Sequence, residues 1–184
     1  MNYGPISGET DGMFYYKWGE DGKHSYRVDR KNGKDDRYCG INGLYKFKNK
    51  VCQMFVDEQG DRYLNYPEDN YCCFCCSQAK GCGVLRPNWL DNATFLGEVD
   101  YQGQKAYKWD KPGLQSNLYY ETIAENPLER IPLGIDQQPN DLQEFAKETF
   151  SQVTENGIFE LPSTCDRKKE CNALSTCYAV EHFS

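Results

Sequence analysis

The chain has 184 residues, with 21 basic and 28 acidic side chains and a formal net charge of −7. A nucleic-acid backbone or an anionic membrane surface repels a protein of this charge on average, so neither is expected as a partner. The length suits a single domain over residues 1–184. No run approaches the roughly 18 apolar residues that predict a membrane span.

Short alternating runs in the first third of the chain predict an antiparallel sheet. Gly12–Trp18 and Lys23–Arg30 are predicted to pair as neighbouring strands. Further strands are predicted at Leu44–Phe47, Val51–Val56 and Arg62–Tyr66. The composition supports strands over helices, because 14 tyrosines and 9 phenylalanines make aromatic residues abundant.

Cysteine is the most unusual part of the composition, and five of the ten cysteines lie in the segment YCCFCCSQAKGC. The ten cysteines are Cys39, Cys52, Cys72, Cys73, Cys75, Cys76, Cys82, Cys165, Cys171 and Cys177. An even number of cysteines in a chain of this size predicts disulfide bonds. We therefore expect an extracellular protein, or one in the lumen of the secretory or endolysosomal pathway.

Two alternatives to disulfides exist, because the cluster contains two overlapping C-x2-C spacings that suit a metal site or a redox-active pair. The two histidines, His24 and His182, lie far from the cluster, and no βαβ pattern surrounds it. Disulfides are therefore favoured, and no metal or cofactor is expected. Cys39 and Cys52 suit a local bond, and the three C-terminal cysteines would pin the tail to the cluster.

The second half of the chain continues the strand pattern. Arg86–Asp91 suggests a single helical turn, and Thr94–Tyr101 and Lys105–Trp109 predict a hairpin. Three more strands are predicted at Leu118–Ala124, Leu128–Ile135 and Leu142–Phe150, although the last also fits a helix. The segment from Leu161 to Cys177 is predicted to be irregular.

Strand alternation predicts one shared aromatic face in this second half. Its candidate ligand-binding residues are Phe95, Val99, Tyr107, Trp109 and Tyr120, with Trp89 as a cap over the pocket mouth. Because buried tyrosine hydroxyls need partners, a partly open cavity suits so many tyrosines better than a dry core does. We therefore expect a non-enzymatic binding protein for a hydrophobic or amphiphilic small molecule.

Two other functions are kept as alternatives. A structural or adhesive secreted protein would use its sheet for protein contacts. A carbohydrate-active enzyme would use Glu98 or Asp100 together with Glu121, although 28 acidic residues make such groupings common. With two histidines in the chain, no nucleophilic catalytic residues are assigned. Asn92 begins an Asn-Ala-Thr sequon, which predicts a glycosylation acceptor in a secreted protein.

The segment GVLRPNWLDNATFLG, residues 83–97, resembles a G-[IV]-L-R-P-N-W-L signature of uncharacterised secreted plant and protist proteins. More remotely, the cysteine-linked strand pattern and the closing segment Phe159–Cys165 are similar to ependymin-related proteins. That resemblance implies two stacked sheets curved into a half-barrel like bacterial lipoprotein carriers, a hydrophobic ligand such as a lipid or pigment, and a homodimer. The cysteine cluster departs from the ependymin pattern.

The sequence as a whole predicts a mainly β fold. We expect an antiparallel meander that forms two stacked sheets or a curved half-barrel. A short helix and a C-terminal tail pinned by disulfides complete this prediction.

Overall fold

A computed structural model describes residues 10–19, 23–33, 36, 38–40, 49–113, 116–137, 141–152 and 155–183. These residues form two compact units, one from residues 10–87 with 155–183 and the other from residues 88–152. Each unit contains one five-stranded antiparallel sheet. The prediction of a mainly β, antiparallel fold is therefore confirmed, and the prediction of a single domain stays a prediction.

The first sheet is a meander in which each strand pairs with the next in the order β1-β2-β3-β4-β5. Its strands are Gly12–Trp18 (β1), His24–Arg30 (β2), Cys52–Val56 (β3), Arg62–Tyr66 (β4) and Tyr71–Cys76 (β5). Four of these were predicted, and β1 and β4 begin and end at the predicted residues. The predicted strand Leu44–Phe47 lies outside the described residues.

The second sheet is also a meander, with the order β10-β9-β8-β7-β6. Its strands are Thr94–Tyr101 (β6), Gln104–Lys111 (β7), Asn117–Thr122 (β8), Pro132–Gln137 (β9) and Asp141–Glu144 (β10). The two residues Gln102 and Gly103 join β6 to β7 in a tight turn, as antiparallel pairing allows.

Two strand predictions in this unit are too long. Leu128 was assigned to a strand, but it lies in a 3-10 turn, Pro127–Glu129, and is 84% exposed. The side chain of Asn126 accepts a hydrogen bond from the Leu128 N–H at 3.1 Å and so fixes this turn. The strand predicted at Leu142–Phe150 ends at Glu144, and a second 3-10 turn follows at Lys147–Thr149.

The short helix exists but lies elsewhere than predicted. At the predicted helical turn Arg86–Asp91, residues 87–92 form hydrogen-bonded turns, in which the Asp91 N–H donates to the Asn88 carbonyl at 2.9 Å. The helix, α1, is Thr176–Phe183, and it begins at the end of the segment Leu161 to Cys177 that was predicted to be irregular. Ser175 precedes it, and its hydroxyl accepts a hydrogen bond from the Tyr178 N–H at 3.2 Å, as a helix N-cap does.

All ten cysteines are paired in five disulfides. The pairs are Cys39–Cys52, Cys72–Cys165, Cys73–Cys171, Cys75–Cys177 and Cys76–Cys82. The predicted local bond and the predicted bonds from the C-terminal cysteines to the cluster are both confirmed. No cysteine is left free, and neither C-x2-C pair of the cluster is joined by a disulfide of its own.

Strand alternation explains how the adjacent residues Cys72 and Cys73 reach different partners, because they point to opposite faces of the first sheet. Alternation does not extend to Cys75 and Cys76, since a bulge leaves Cys75 as an extra residue between two pairs and both cysteines pack in the same core cluster. Cys72 packs with Cys165 on one face, whereas Cys73 packs with Cys171 on the other. Between Cys165 and Cys171 the tail crosses the outer edge of β5. There the Phe74 N–H donates to the Lys169 carbonyl at 2.7 Å, and the Cys171 N–H donates to the Phe74 carbonyl at 2.8 Å. The tail therefore covers an edge that would otherwise present unpaired backbone groups.

The second sheet has its own small core on one face. Ala106, Tyr120 and Leu133 are buried there, and Val99, Tyr101 and Leu118 pack against them. The rings of Tyr101 and Tyr120 stack with their centroids 4.0 Å apart. Burial raises the pKa of Tyr101, and the neighbouring Glu144 carboxylate raises it further.

Among the residues that the structure describes, no helix has the length and apolar character needed to cross a membrane.

Candidate functional site

A β-bulge in β6 decides which side chains share a face of the second sheet. Phe95 pairs with Trp109 and Gly97 pairs with Lys108, so Leu96 is an extra residue between two pairs. The bulge shifts by one residue the alternation of β6 side chains between the two faces of the sheet. Phe95 therefore lies on the face opposite to Val99, which belongs to the small core.

The pairing of β7 with β8 separates Tyr120 from the other candidates. Tyr120 pairs with Lys108, whereas Trp109 pairs with Tyr119. Directly paired residues share a face in an antiparallel sheet, so Tyr120 lies on the core face with Val99. The expectation that five candidates share one face is therefore wrong, because neither the bulge nor the strand register was included in it.

The remaining candidates come together on the other face, in an open cleft of about 310 Å³. We call it the aromatic cleft, and its lining residues are Phe95, Glu98, Tyr107, Trp109 and Arg130. The ring centroid of Phe95 lies 4.9 Å from that of Trp109 and 5.4 Å from that of Tyr107. Phe95 is 48% exposed, so an apolar ring surface faces solvent beside the rings of Tyr107 and Trp109.

The carboxylate of Glu121 holds the side chains of Trp109 and Arg130 in place. This carboxylate is buried, and one oxygen accepts hydrogen bonds from Trp109 Nε1 at 2.9 Å and from Arg130 Nη1 at 3.1 Å. Arg130 Nε also donates to the Ala124 carbonyl at 3.0 Å, and its guanidinium lies 4.9 Å from the centre of the Tyr107 ring. Charge-assisted bonds of this kind hold both the indole and the guanidinium in one orientation.

Trp89 lies beside the aromatic cleft and not among its lining residues. Its ring packs edge-on against Tyr119, with the centroids 5.3 Å apart. Tyr119 is buried, and burial raises its pKa, with the Glu121 carboxylate adding to the rise. Its phenol therefore stays protonated at neutral pH, and the Trp89–Tyr119 pair extends the aromatic surface of this face.

The acidic residues of the enzyme alternative occupy different environments. Glu98, Tyr107 and Glu121 form one row across β6, β7 and β8. Glu98 is exposed, but Glu121 is engaged by two donors, as described above. Asp100 forms an exposed ion pair with Lys105 at 3.0 Å.

Other residues singled out from the sequence are not among the lining residues of the aromatic cleft. Asn92 is exposed in a turn with φ +62°. His24 stacks on Trp18, with the ring centroids 3.5 Å apart, and His182 contacts Glu170 at 3.2 Å. Within the described ranges, no group of three or more His, Cys, Asp or Glu residues could hold a metal ion.

Sequence reasoning identified the three rings of the aromatic cleft but missed Arg130 and gave Glu121 only a catalytic role. These two residues are nine positions apart and meet through the β8–β9 connection. A buried acidic residue in a strand, followed by an arginine after a Pro-containing turn, is a signal for such a pair. That signal is weak in a chain with 28 acidic residues.

Part of the chain matches a known family model. Residues 45–133 are similar to the family model of a domain of unknown function, DUF8395. The match covers just under half of the chain and includes all five residues that line the aromatic cleft. No curated protein and no solved structure matches the chain significantly.

Proposed function

We propose that the protein binds a small amphiphilic molecule in the aromatic cleft, outside the cell or in a lumenal compartment, without transforming it. The observation that carries the proposal is the grouping of Phe95, Tyr107 and Trp109 around an open space whose other lining residues, Glu98 and Arg130, are charged. Small-molecule sites combine ring surfaces with a few placed polar groups in this way.

The energetic case rests on fixed rings and exposed apolar surface. Covering about 100 Å² of apolar surface contributes roughly 2.5 kcal/mol. Because Glu121 already orients Trp109 and Arg130, binding costs little side-chain entropy at these two residues. A ligand with one apolar face and polar edges would use both components of the aromatic cleft.

The five disulfides support the secretory part of the proposal. Structural disulfides persist in oxidising compartments and are rare in the cytosol. We also propose that the chain is related to secreted plant and protist proteins and, more remotely, to ependymin-related carriers.

Octyl glycosides provide the test, because each has a neutral polar head and an apolar tail. Calorimetric titration below the micelle concentration with the octyl glycosides of glucose, galactose, mannose and N-acetylglucosamine should detect binding of at least one. F95A should weaken it about tenfold, which is about 1.4 kcal/mol. The control is F14A, since Phe14 is an exposed ring on the first sheet, 46% exposed against 48% for Phe95. No binding, or equal weakening by both variants, would contradict the proposal.

A further inference from the structure

We infer that the ligand of the aromatic cleft is a neutral sugar ring, whose C–H face lies on the aromatic rings and whose hydroxyls meet Glu98 and Arg130. This inference rests on the proposed function and names the class of ligand. Its basis is the way in which polar and apolar groups are interleaved in the aromatic cleft.

The aromatic side chains offer ring surfaces and few polar atoms. The one N–H of the Trp109 indole is used by Glu121, and Phe95 has no polar atom. Ring faces carry partial negative charge, so they attract the partly positive C–H groups of a pyranose. A sugar also matches the open form of the aromatic cleft, because a ring that stacks on one side keeps its other side in water.

The two charged residues of the aromatic cleft keep hydrogen-bonding capacity for a ligand. Arg130 uses Nε and Nη1 within the protein, and no hydrogen bond of its Nη2 to a described residue is found. Glu98 is exposed, and the structure gives its carboxylate no ion pair within the described ranges. A hydroxyl both donates and accepts, so neighbouring hydroxyls satisfy the Arg130 donors and the Glu98 acceptors together.

The same charges disfavour a fatty acid or a plain alkyl chain. Glu98, Glu121 and Arg130 carry one positive and two negative charges, so an anionic head group meets net repulsion. An alkyl chain laid along the aromatic cleft would remove water from Glu98 and Arg130 without replacing their hydrogen bonds, which costs free energy. A neutral polyhydroxylated ring avoids both penalties.

The geometry favours binding over glycoside hydrolysis. Most glycoside hydrolases carry out that reaction with two carboxyl groups that face the scissile bond. In the aromatic cleft Glu98 alone presents an exposed carboxylate, since the Glu121 carboxylate is buried and holds Trp109 and Arg130. Glu121 is therefore a positioning residue.

The test examines the sugar and the alkyl tail of the octyl glycosides separately. The methyl glycosides of the same four sugars keep the sugar and lack the tail, whereas octylphosphocholine keeps the tail and lacks the sugar. Saturation-transfer NMR on the full chain should detect a methyl glycoside, with the strongest transfer to the ring protons of one face. Any saturation-transfer signal from octylphosphocholine should not depend on Phe95, so it should be unchanged in the F95A variant.

Two pairs of variants assign the sugar to the aromatic cleft. F95A and E98A should each weaken the methyl glycoside about tenfold, or about 1.4 kcal/mol. The matched controls F14A and D100A should leave its affinity unchanged, because Phe14 lies on the other sheet and Asp100 is paired with Lys105. All four side chains are exposed, so thermal unfolding should confirm that the variants fold.

Each remaining outcome is decisive. Binding of octylphosphocholine that depends on Phe95, without binding of any methyl glycoside, overturns the sugar inference and leaves the proposed function standing. Binding of a methyl glycoside that is insensitive to F95A and E98A overturns the assignment to the aromatic cleft. If octyl glycosides, methyl glycosides and octylphosphocholine all fail to bind, the inference and the proposed function both fail.

Discussion

Removal of the Cys73–Cys171 disulfide should cost much less stability than its sequence separation suggests. The two cysteines are 98 positions apart, and a single bond closing a loop of that length is worth about 4.7 kcal/mol of chain entropy. The neighbouring bond Cys72–Cys165 changes this estimate, because it already joins the same two segments. With that bond intact, Cys73–Cys171 closes a ring of only roughly 9 residues, worth about 2.6 kcal/mol.

The Cys39–Cys52 bond is a matched control. It spans 13 positions, and a loop of that length is worth about 2.9 kcal/mol. All four cysteines are buried, so replacing each pair by alanine leaves cavities of similar size. C73A/C171A and C39A/C52A should therefore lose the same stability to within about 1 kcal/mol, in spite of the different separations.

Guanidinium unfolding followed by tryptophan fluorescence measures both losses, provided that the transitions are two-state with similar m-values. A loss for C73A/C171A about 2 kcal/mol larger than that for C39A/C52A would refute the reasoning, because it is the difference expected for independent loops. Such a result would mean that the three tail bonds do not act as one crosslinked segment.

Two further predictions concern single residues. G97A should destabilise the protein by about 1–3 kcal/mol in thermal unfolding, because Gly97 has φ +100°, which strains the backbone of any other residue. An added Cβ would meet no atom within 4 Å, so this strain is the sole cause of the loss. Unchanged stability would contradict the bulge geometry. Burial raises the pKa of Tyr63 from 10.0 to about 12, so its contribution to stability is complete below pH 10.0 and is lost as the pH rises through about 12. Y63F should therefore flatten the decline in stability between these two pH values, and identical profiles would disprove the assignment.

Much of the sheet structure could be predicted because strand alternation is a local property. β1, β4 and β6 begin and end as predicted, each flanked by turn residues. β5 was not recognised as a strand, because five of its six residues are buried and no polar alternation marks its faces. Its cysteines indicated only a disulfide framework. The helix α1 was missed because it has eight residues and is held by Cys75–Cys177, a contact that is remote in sequence.

The candidate site depended on information that is not local. Tyr107 and Trp109 share a face by simple alternation, and the sequence placed them together. Their relation to Glu121 depends on the register of β7 with β8, and their relation to Arg130 depends on the turn before β9. Register is set by side-chain packing on both faces and by turn geometry, so a strand taken by itself does not contain it.

One position in the sequence nevertheless carried the missing information. Leu96 and Gly97 together interrupt the apolar and polar alternation of this strand, and a glycine inside a strand pattern marks a bulge or a close backbone approach. Without the bulge, Phe95 would join Val99 on the core face, and Trp109 would lose its neighbouring ring. The extra residue Leu96 instead turns Phe95 toward Trp109, and Gly97 adopts the positive φ of this bulge without the backbone strain that another residue would carry. The feature that invalidates a simple alternation is thus the one that assembles the aromatic cleft.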